Sequence, residues 1–180
     1  MARNQANVDK NSREYLTQKW KTGRSSLLLI LIVTLVNMIA VVADIDFYFL
    51  FSASIPFYLV VFGKAFDNGF AEGAWSEIGT FTVTALVIAA VILGVYLICW
   101  LLSKKHNGWL IAALVLFSID TAALLLMLSG DSSVLLDLAI HALAIWELAQ
   151  AISCAKKLKA MPEEEPVTPE GWHGTTPDLD

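Results

Sequence analysis

The chain has 180 residues, of which 57% are hydrophobic, and its formal net charge is −5 at pH 7. Soluble globular domains are usually about 45–50% apolar, so a mean hydropathy of +0.63 favours a membrane protein over a soluble one. Much of the acid lies in the proline-rich segment 161–180, and no basic, aromatic-interleaved surface indicates nucleic acid. Composition thus excludes a large soluble domain and argues against a nucleic-acid partner.

Four long apolar blocks follow one another along the chain. Roughly 20 mainly apolar residues cross a bilayer as a helix, and each block reaches about this length. The predicted spans are 25–43, 80–102, 109–128 and 134–154. We therefore predict an all-α protein, an integral membrane four-helix bundle, whose membrane domain covers residues 25–155.

The basic residues predict the orientation of these spans. They cluster in 13–24, 103–109 and 155–159, and four spans place all three clusters on one side. Because short cytoplasmic segments are rich in Lys and Arg, we expect both termini in the cytoplasm. Residues 1–24 then form a basic cytoplasmic N-terminal segment, and the acidic segment 156–180 is expected to be a disordered cytoplasmic tail.

Residues 45–63, between the first two predicted spans, are apolar enough to look like a fifth span. A fifth span would invert the downstream topology and expose Lys104 and Lys105 outside. Pro56, Ser52 and Ser54 are also expected to break the helical pattern of this segment. Two interpretations stay open with equal weight. One is a re-entrant segment that enters and leaves from the outer face, and the other is an interfacial helix rich in Phe and Tyr.

Polar residues of three predicted spans fall near one depth. Asp120 lies 11 residues before Asp131, at the turn between the last two spans, and His141 lies 10 residues after it. At about 1.5 Å per residue these two side chains should be level. Asp137 lies four residues before His141, on the same helix face, and Asn37 of the first span lies slightly outward of its centre. We take these four residues as the candidate site for an ion, a proton or a substrate.

Four interpretations of this polar layer compete, since a charge at the bilayer centre costs at least about 2.5–3.5 kcal/mol and must face protein or water. Packing of the last two spans ranks first, and a proton or cation relay or an outward-open substrate site ranks second. A zinc or manganese site of Asp120, Asp137 and His141 ranks third, because no recognised ligand spacing supports it. Intramembrane catalysis ranks last, because the chain has no GxSxG elbow and no obvious nucleophile.

Two stretches carry a resemblance, "FSIDTAALLLMLSGDSSVLLDLAIHALAIWELAQAI" (117–152) and "FYFLFSASIPFYLVVFG" (47–63). Through their IDT, D-x-x-x-H and F-S-A-S-x-P elements, the chain resembles a loose group of small multi-pass membrane proteins of Gram-positive bacteria. The resemblance covers about two thirds of the chain, namely its apolar part. It implies a location in the bacterial plasma membrane, and it implies no particular activity.

The sequence therefore predicts a multi-pass plasma-membrane protein that acts as a small accessory or interaction protein, with an intramembrane Asp/His packing layer. The alternative is a protein that translocates protons, ions or small solutes through an outward-facing chamber of Asp120, Asp137 and His141. An enzyme is the least favoured class, and no cofactor is expected. The expected partners are the lipid bilayer and either a second copy of the chain or another membrane protein. Glu147 is left without a role.

Overall fold

The computed structural model describes residues 10–70, 78–127 and 134–162, which form five α-helices and contain no β-strand. The helices are α1 (Arg13–Val42), α2 (Ser54–Phe70), α3 (Thr80–Leu102), α4 (Gly108–Met127) and α5 (Val134–Ala160). The all-α prediction is therefore confirmed.

Four of these helices, α1, α3, α4 and α5, are long and apolar enough to cross a membrane. They coincide with the four predicted spans, and large apolar side chains such as Val91 (64% exposed) and Leu126 (83% exposed) cover their outward faces. Such surfaces are unusual on soluble proteins, where large exposed apolar patches are rare. The helices thus have the length and the surface of membrane spans.

Two predicted boundaries differ from the structure. The first span was predicted to begin at residue 25, but α1 already begins at Arg13, where the Ser12 side chain accepts a hydrogen bond from the Tyr15 amide (3.2 Å). The N-terminal segment 1–24 is therefore partly a continuation of the spanning helix. The tail was predicted to begin at 156, but α5 continues to Ala160. The remainder of that predicted tail, 163–180, lies outside the described residues.

Among the described residues, the helices α1 and α5 form the most extensive helix pair, and they pack closely at Gly23. A Cβ atom at this position would overlap the Cβ of Ala151 and would lie 3.0 Å from the carbonyl oxygen of Glu147. Close approach of membrane helices depends on small residues at the contact. The absence of a side chain at Gly23 therefore lets the two backbones meet.

Replacing Gly23 with alanine should separate α1 from α5 and lower the free energy of unfolding by about 1–3 kcal/mol, as overpacking does elsewhere. Gly94 on α3 provides the matched control, because a Cβ there would meet no atom within 4 Å. Gly94→Ala should leave stability unchanged or raise it by up to about 1 kcal/mol. Chemical denaturation in detergent measures both variants, and equal effects of the two would contradict a close contact at Gly23.

Between α1 and α2 the chain turns back into the bundle without forming a helix. The turn passes through Asp44, whose φ of 55° is left-handed, and the amide of Ala53 then lies 2.8 Å from Oγ1 of Thr34. Thr34 is eight residues from the end of α1, or about 12 Å along the helix. α2 starts at this depth and runs back, so that Lys64 Nζ reaches the carbonyl oxygen of Val41 (2.8 Å). Residues 43–70 therefore enter and leave the bundle at one end.

The expected break in the helical pattern of 45–63 is present, but it lies before Ser54 and not at Pro56. Pro56 is the third residue of α2, in the first turn, where a missing amide hydrogen costs no intrahelical bond. The predicted segment 45–63 is thus non-helical up to Ala53 and helical from Ser54 onward.

Asp67, near the end of α2, holds the start of α3. Its carboxylate accepts hydrogen bonds from the amides of Phe81 (3.1 Å) and Thr82 (2.7 Å). Partial desolvation acts to raise the pKa of Asp67, but these bonds and one from the Thr82 hydroxyl outweigh it, so the pKa lies below its ordinary value of 3.8. The ionised form of Asp67 therefore stabilises the fold.

This lowered pKa predicts a pH dependence. A carboxylate with a depressed pKa contributes stability above its unfolded pKa, and the contribution is lost as the pH falls through the folded pKa. The stability difference between the wild type and Asp67→Asn should therefore be largest at neutral pH and should shrink below the ordinary value of 3.8. Thermal unfolding between neutral pH and about pH 3 measures it. Asp46→Asn, which changes an exposed carboxylate at the same end of the bundle, is the control. A stability difference for Asp67→Asn that is independent of pH would contradict stabilisation of the start of α3 by the ionised carboxylate.

At the other end of the bundle, which we call the basic end, Arg24 of α1 is buried against α3. Its Nε donates to Oγ of Ser103 (2.8 Å), and its Nη2 donates to the carbonyl oxygen of Trp100 (3.1 Å). The guanidinium carbon also lies 5.1 Å and 5.4 Å from the ring centres of Trp20 and Trp100. Arg24 thus closes the last turn of α3, where a positive charge is favourable.

Candidate functional site

The carboxylate of Asp120 caps the N-terminus of α2 from across the bundle. Asp120 lies on α4 and is 1% exposed. Its Oδ2 accepts a hydrogen bond from the amide of Ser54, and its Oδ1 accepts one from the amide of Ile55, both at 2.7 Å. The first amides of a helix have no intrahelical acceptor, and a negative charge is stabilised beside them. Both oxygens of Asp120 are therefore engaged by the backbone of α2.

His141 of α5 lies beside this cap. Its Nδ1 is 2.8 Å from the carbonyl oxygen of Asp137, and since a carbonyl only accepts, Nδ1 carries the proton. Its Nε2 lies 3.2 Å from Oγ of Ser54 and 3.5 Å from Oδ2 of Asp120. The ring stacks on Phe117, with centres 5.0 Å apart and planes 4° apart. A neutral His141 accepts from the Ser54 hydroxyl, whereas a protonated one donates to Asp120.

The carboxylate of Asp137 contacts the non-helical segment instead of Asp120. Its Oδ2 accepts a hydrogen bond from the hydroxyl of Tyr48 (3.0 Å). Its Oδ1 is buried and has no hydrogen-bond partner among the residues that the structure describes. Asp137 therefore joins α5 to the returning segment and retains one acceptor without a partner.

Two residues of α1 bind the backbone of the same segment. The side-chain amide of Asn37 donates to the carbonyl oxygen of Phe49 (2.7 Å) and accepts from its amide (2.9 Å), as a neighbouring strand would. One turn earlier, Thr34 Oγ1 accepts from the amide of Ala53 (2.8 Å) and donates to the carbonyl oxygen of Ile30 (2.7 Å). These bonds satisfy backbone groups that form no helix.

We call Thr34, Asn37, Asp120, Asp137 and His141 the polar clamp. The four residues singled out in the sequence all belong to it, but the structure brings only Asp120 and His141 together directly, whereas Asn37 and Asp137 bind the segment between α1 and α2. The turn at Asp131, from which their depth was counted, lies outside the described residues. All five side chains contact residues 48–55, which comprise the end of the non-helical segment and the start of α2.

Sequence reasoning missed three participants, Thr34, Tyr48 and Ser54. Thr34 lies three residues before Asn37, on the same face of α1, and this spacing is a signal that was available. The small polar residues of F-S-A-S-x-P were interpreted as helix breakers, although they mark the backbone that the clamp binds. Tyr48 gave no signal, because aromatic residues at this level are equally typical of an interface.

The clamp does not supply a metal site in the described part of the chain. No group of three or more His, Cys, Asp or Glu side chains there is arranged to hold a metal ion. Asp120 points to the amides of α2, while Asp137 binds Tyr48. The three converging ligands that zinc requires are thus not formed by Asp120, Asp137 and His141.

Glu147 lies at a different level, between the clamp and the basic end. Its Oε2 accepts a hydrogen bond from the hydroxyl of Ser26 on α1. This contact is one turn from the close approach at Gly23, and it joins the same two helices. Glu147 therefore takes part in the packing of α1 on α5.

Comparisons with known proteins do not assign this chain to a class, so its class rests on the structure. No family model matches the chain, and neither a curated protein nor a solved structure matches it. The class is that of an all-helical protein with four helices long and apolar enough to cross a membrane. Its distinguishing feature is a polar clamp around a non-helical segment in the middle of these helices.

Proposed function

We propose that this protein is a multi-pass plasma-membrane protein that acts as an accessory or interaction protein, and that its Asp/His layer is structural. The observation that carries the proposal is the engagement of both Asp120 oxygens by the first amides of α2 (2.7 Å each). A carboxylate accepts both bonds, whereas the hydroxyl of a protonated carboxyl group would oppose one of the amides. Transfer of a proton through Asp120 would therefore break the cap, which disfavours a relay.

We further propose that residues 43–70 form a re-entrant segment. Their first half reaches Thr34, about 12 Å inside the end of α1, and their second half returns to that end. Non-helical backbone at membrane depth is tolerated only where protein or water satisfies it, and Thr34, Asn37 and Asp120 supply such bonds. An interfacial helix would not need these buried partners.

The charge distribution supports cytoplasmic termini. Lysines at the basic end belong to the α3–α4 connection, to the end of α5 and to the start of α1. At the opposite end, Lys64 is paired with the carboxylate of Asp44. Under the positive-inside rule, the basic end faces the cytoplasm of a bacterium, and the entrance of the re-entrant segment faces outward.

Labelling of single cysteines tests this topology. With Cys99 and Cys154 replaced by alanine, Asn68→Cys on α2 and Asn107→Cys between α3 and α4 report on the two ends. A membrane-impermeant maleimide should label position 68 in intact cells and position 107 only after lysis. Labelling of both positions from the same side would contradict four spans.

Proton or cation translocation is the second candidate, and two observations favour it. The Nε2 of His141 lies near both Oγ of Ser54 and Oδ2 of Asp120. Protonation of Nε2 would therefore exchange a hydrogen bond from Ser54 for one to Asp120. Oδ1 of Asp137, one turn earlier on α5, is buried and finds no partner in the described part of the chain. Histidine is the side chain that most often serves as a proton-dependent switch in proteins.

Flux and stability measured on the same variants separate the two candidates. His141→Gln should lower stability by about 0.6–2 kcal/mol, in line with hydrogen bonds between membrane helices, and reconstituted liposomes should show no proton or ion flux in either protein. Ser118→Ala is the control, because the Ser118 hydroxyl only bonds back to Leu114 of its own helix. A wild-type flux that His141→Gln abolishes, with stability unchanged, would replace the structural proposal by the transport one.

A further inference from the structure

A cleft of about 760 Å³ opens at the basic end, between the α3–α4 connection and the end of α5. Lys105, His106 and Asn107 line one side, and Lys156 and Lys159 line the other. Lys156 and Lys159 are three residues apart, on one face of α5. Two parts of the chain that are distant in sequence therefore direct cationic side chains into one concave surface.

This cleft is unbalanced in charge. Neither 102–110 nor 148–162, the two stretches that surround it, contains an Asp or a Glu. Within the described part of the chain, no carboxylate forms an ion pair with the three lysines of the cleft. Neighbouring like charges repel one another, so this arrangement is unfavourable until an anion enters.

The cleft lies where the helices leave the apolar part of the bundle. Trp20, Trp100 and Trp109 belong to the same end, and tryptophan is enriched at the level of lipid headgroups. The lysines at 105, 156 and 159 come immediately after α3 or in the last turns of α5. In a bilayer that the four helices cross, their ammonium groups would lie at the level of the lipid phosphates. Basic clefts at the cytoplasmic ends of membrane helices are typical sites for anionic headgroups.

We propose that this cleft binds the phosphate of an anionic phospholipid headgroup from the surrounding leaflet. Lys105, Lys156 and Lys159 supply the positive charge, and Asn107 supplies a neutral donor at the rim. A zwitterionic lipid is a weaker ligand because its own cation is repelled by the lysines. This inference needs the membrane placement of the four helices but is independent of the role of the polar clamp.

Binding of defined lipids to the full chain tests the proposal. The purified protein in detergent is titrated with phosphatidylglycerol, with cardiolipin, with phosphatidylcholine and with inorganic phosphate, and binding is followed by the thermal unfolding midpoint and by native mass spectrometry. The anionic lipids should bind, and the triple variant Lys105→Gln, Lys156→Gln and Lys159→Gln should bind them at least about tenfold more weakly. The matched control removes the same charge outside the cleft, through Lys10→Gln, Lys21→Gln and Lys104→Gln, and should bind like the wild type.

Three outcomes would overturn the assignment. Equal weakening in the control variant would mean that the whole basic end attracts anions without a site. Binding of inorganic phosphate as tightly as of the lipids would make a soluble phosphate the ligand. The third concerns Glu163, Glu164 and Glu165, which begin three residues after the end of α5 in sequence. If changing all three to glutamine raises lipid affinity about tenfold, the chain's own acidic segment is the occupant; unchanged affinity supports the lipid.

Discussion

Replacing Asp120 with alanine is expected to lower the free energy of unfolding by about 2–5 kcal/mol, because each buried amide that loses its acceptor costs about 1–3 kcal/mol. The two amides are those of Ser54 and Ile55, and no water is available to replace the carboxylate if they lie at membrane depth. Denaturation in detergent measures the loss. Hydrogen exchange at the start of α2 should accelerate together with it.

Two further variants make the Asp120 result specific. Asp120→Asn keeps one acceptor but turns an amide group toward the other donor. Its free energy of unfolding should therefore lie between those of the wild type and Asp120→Ala. Ser118→Ala, two positions away on α4, should change stability by less than about 0.5 kcal/mol. If Asp120→Ala also stays within that limit, the carboxylate does not hold α2.

Replacing Asn37 with leucine is the second large change, with an expected loss of about 2–4 kcal/mol. Leucine has the same branching at Cγ as asparagine but no polar atom, so it leaves both the amide and the carbonyl oxygen of Phe49 without the partners they have at 2.9 and 2.7 Å. Residues 44–53 should then detach from α1 while the helices stay formed. Peptide-level hydrogen exchange should show faster exchange in this segment and unchanged exchange in α3.

Two threonine variants test whether a single hydrogen bond from α1 to residues 44–53 also contributes to stability. Thr34→Val removes one bond to the segment, that to the amide of Ala53, and should cost about 1–2 kcal/mol. Thr84→Val makes the same chemical change on α3, where the hydroxyl is exposed and only bonds to Thr80 of its own helix, and should be nearly neutral. Similar exchange of residues 44–53 in both variants would show that the Thr34 hydroxyl does not hold them.

Much of the fold follows from the sequence, because apolar length and helical connectivity decide it locally. The predicted spans overlap α1, α3, α4 and α5. Counting residues from position 131 predicts that Asp120 is level with His141, and Oδ2 of Asp120 does lie 3.5 Å from Nε2 of His141. These inferences need only the rise per residue of a helix.

The rest depended on contacts between distant parts of the chain. Nothing near Ser54 in the sequence says that its amide is capped by Asp120, 66 residues later. A proline near serines is equally typical of a helix start and of a helix break, and only the position of an acceptor decides between them. Likewise, Arg24 looked like one of several flanking charges, and its burial against α3 depends on Trp100 and Ser103.

The long separation between Ser54 and Asp120 has a consequence for how the protein is made. When residues 43–70 leave the ribosome, α4 and α5 have not yet been synthesised, so the cap on α2 and the bond from Tyr48 to Asp137 are missing. Only Thr34 and Asn37 are present early enough to receive the segment. We therefore expect closure of the segment to be a late step of biogenesis. Nascent chains arrested before α4 should expose residues 44–53 to protease, and chains that extend past α5 should protect them.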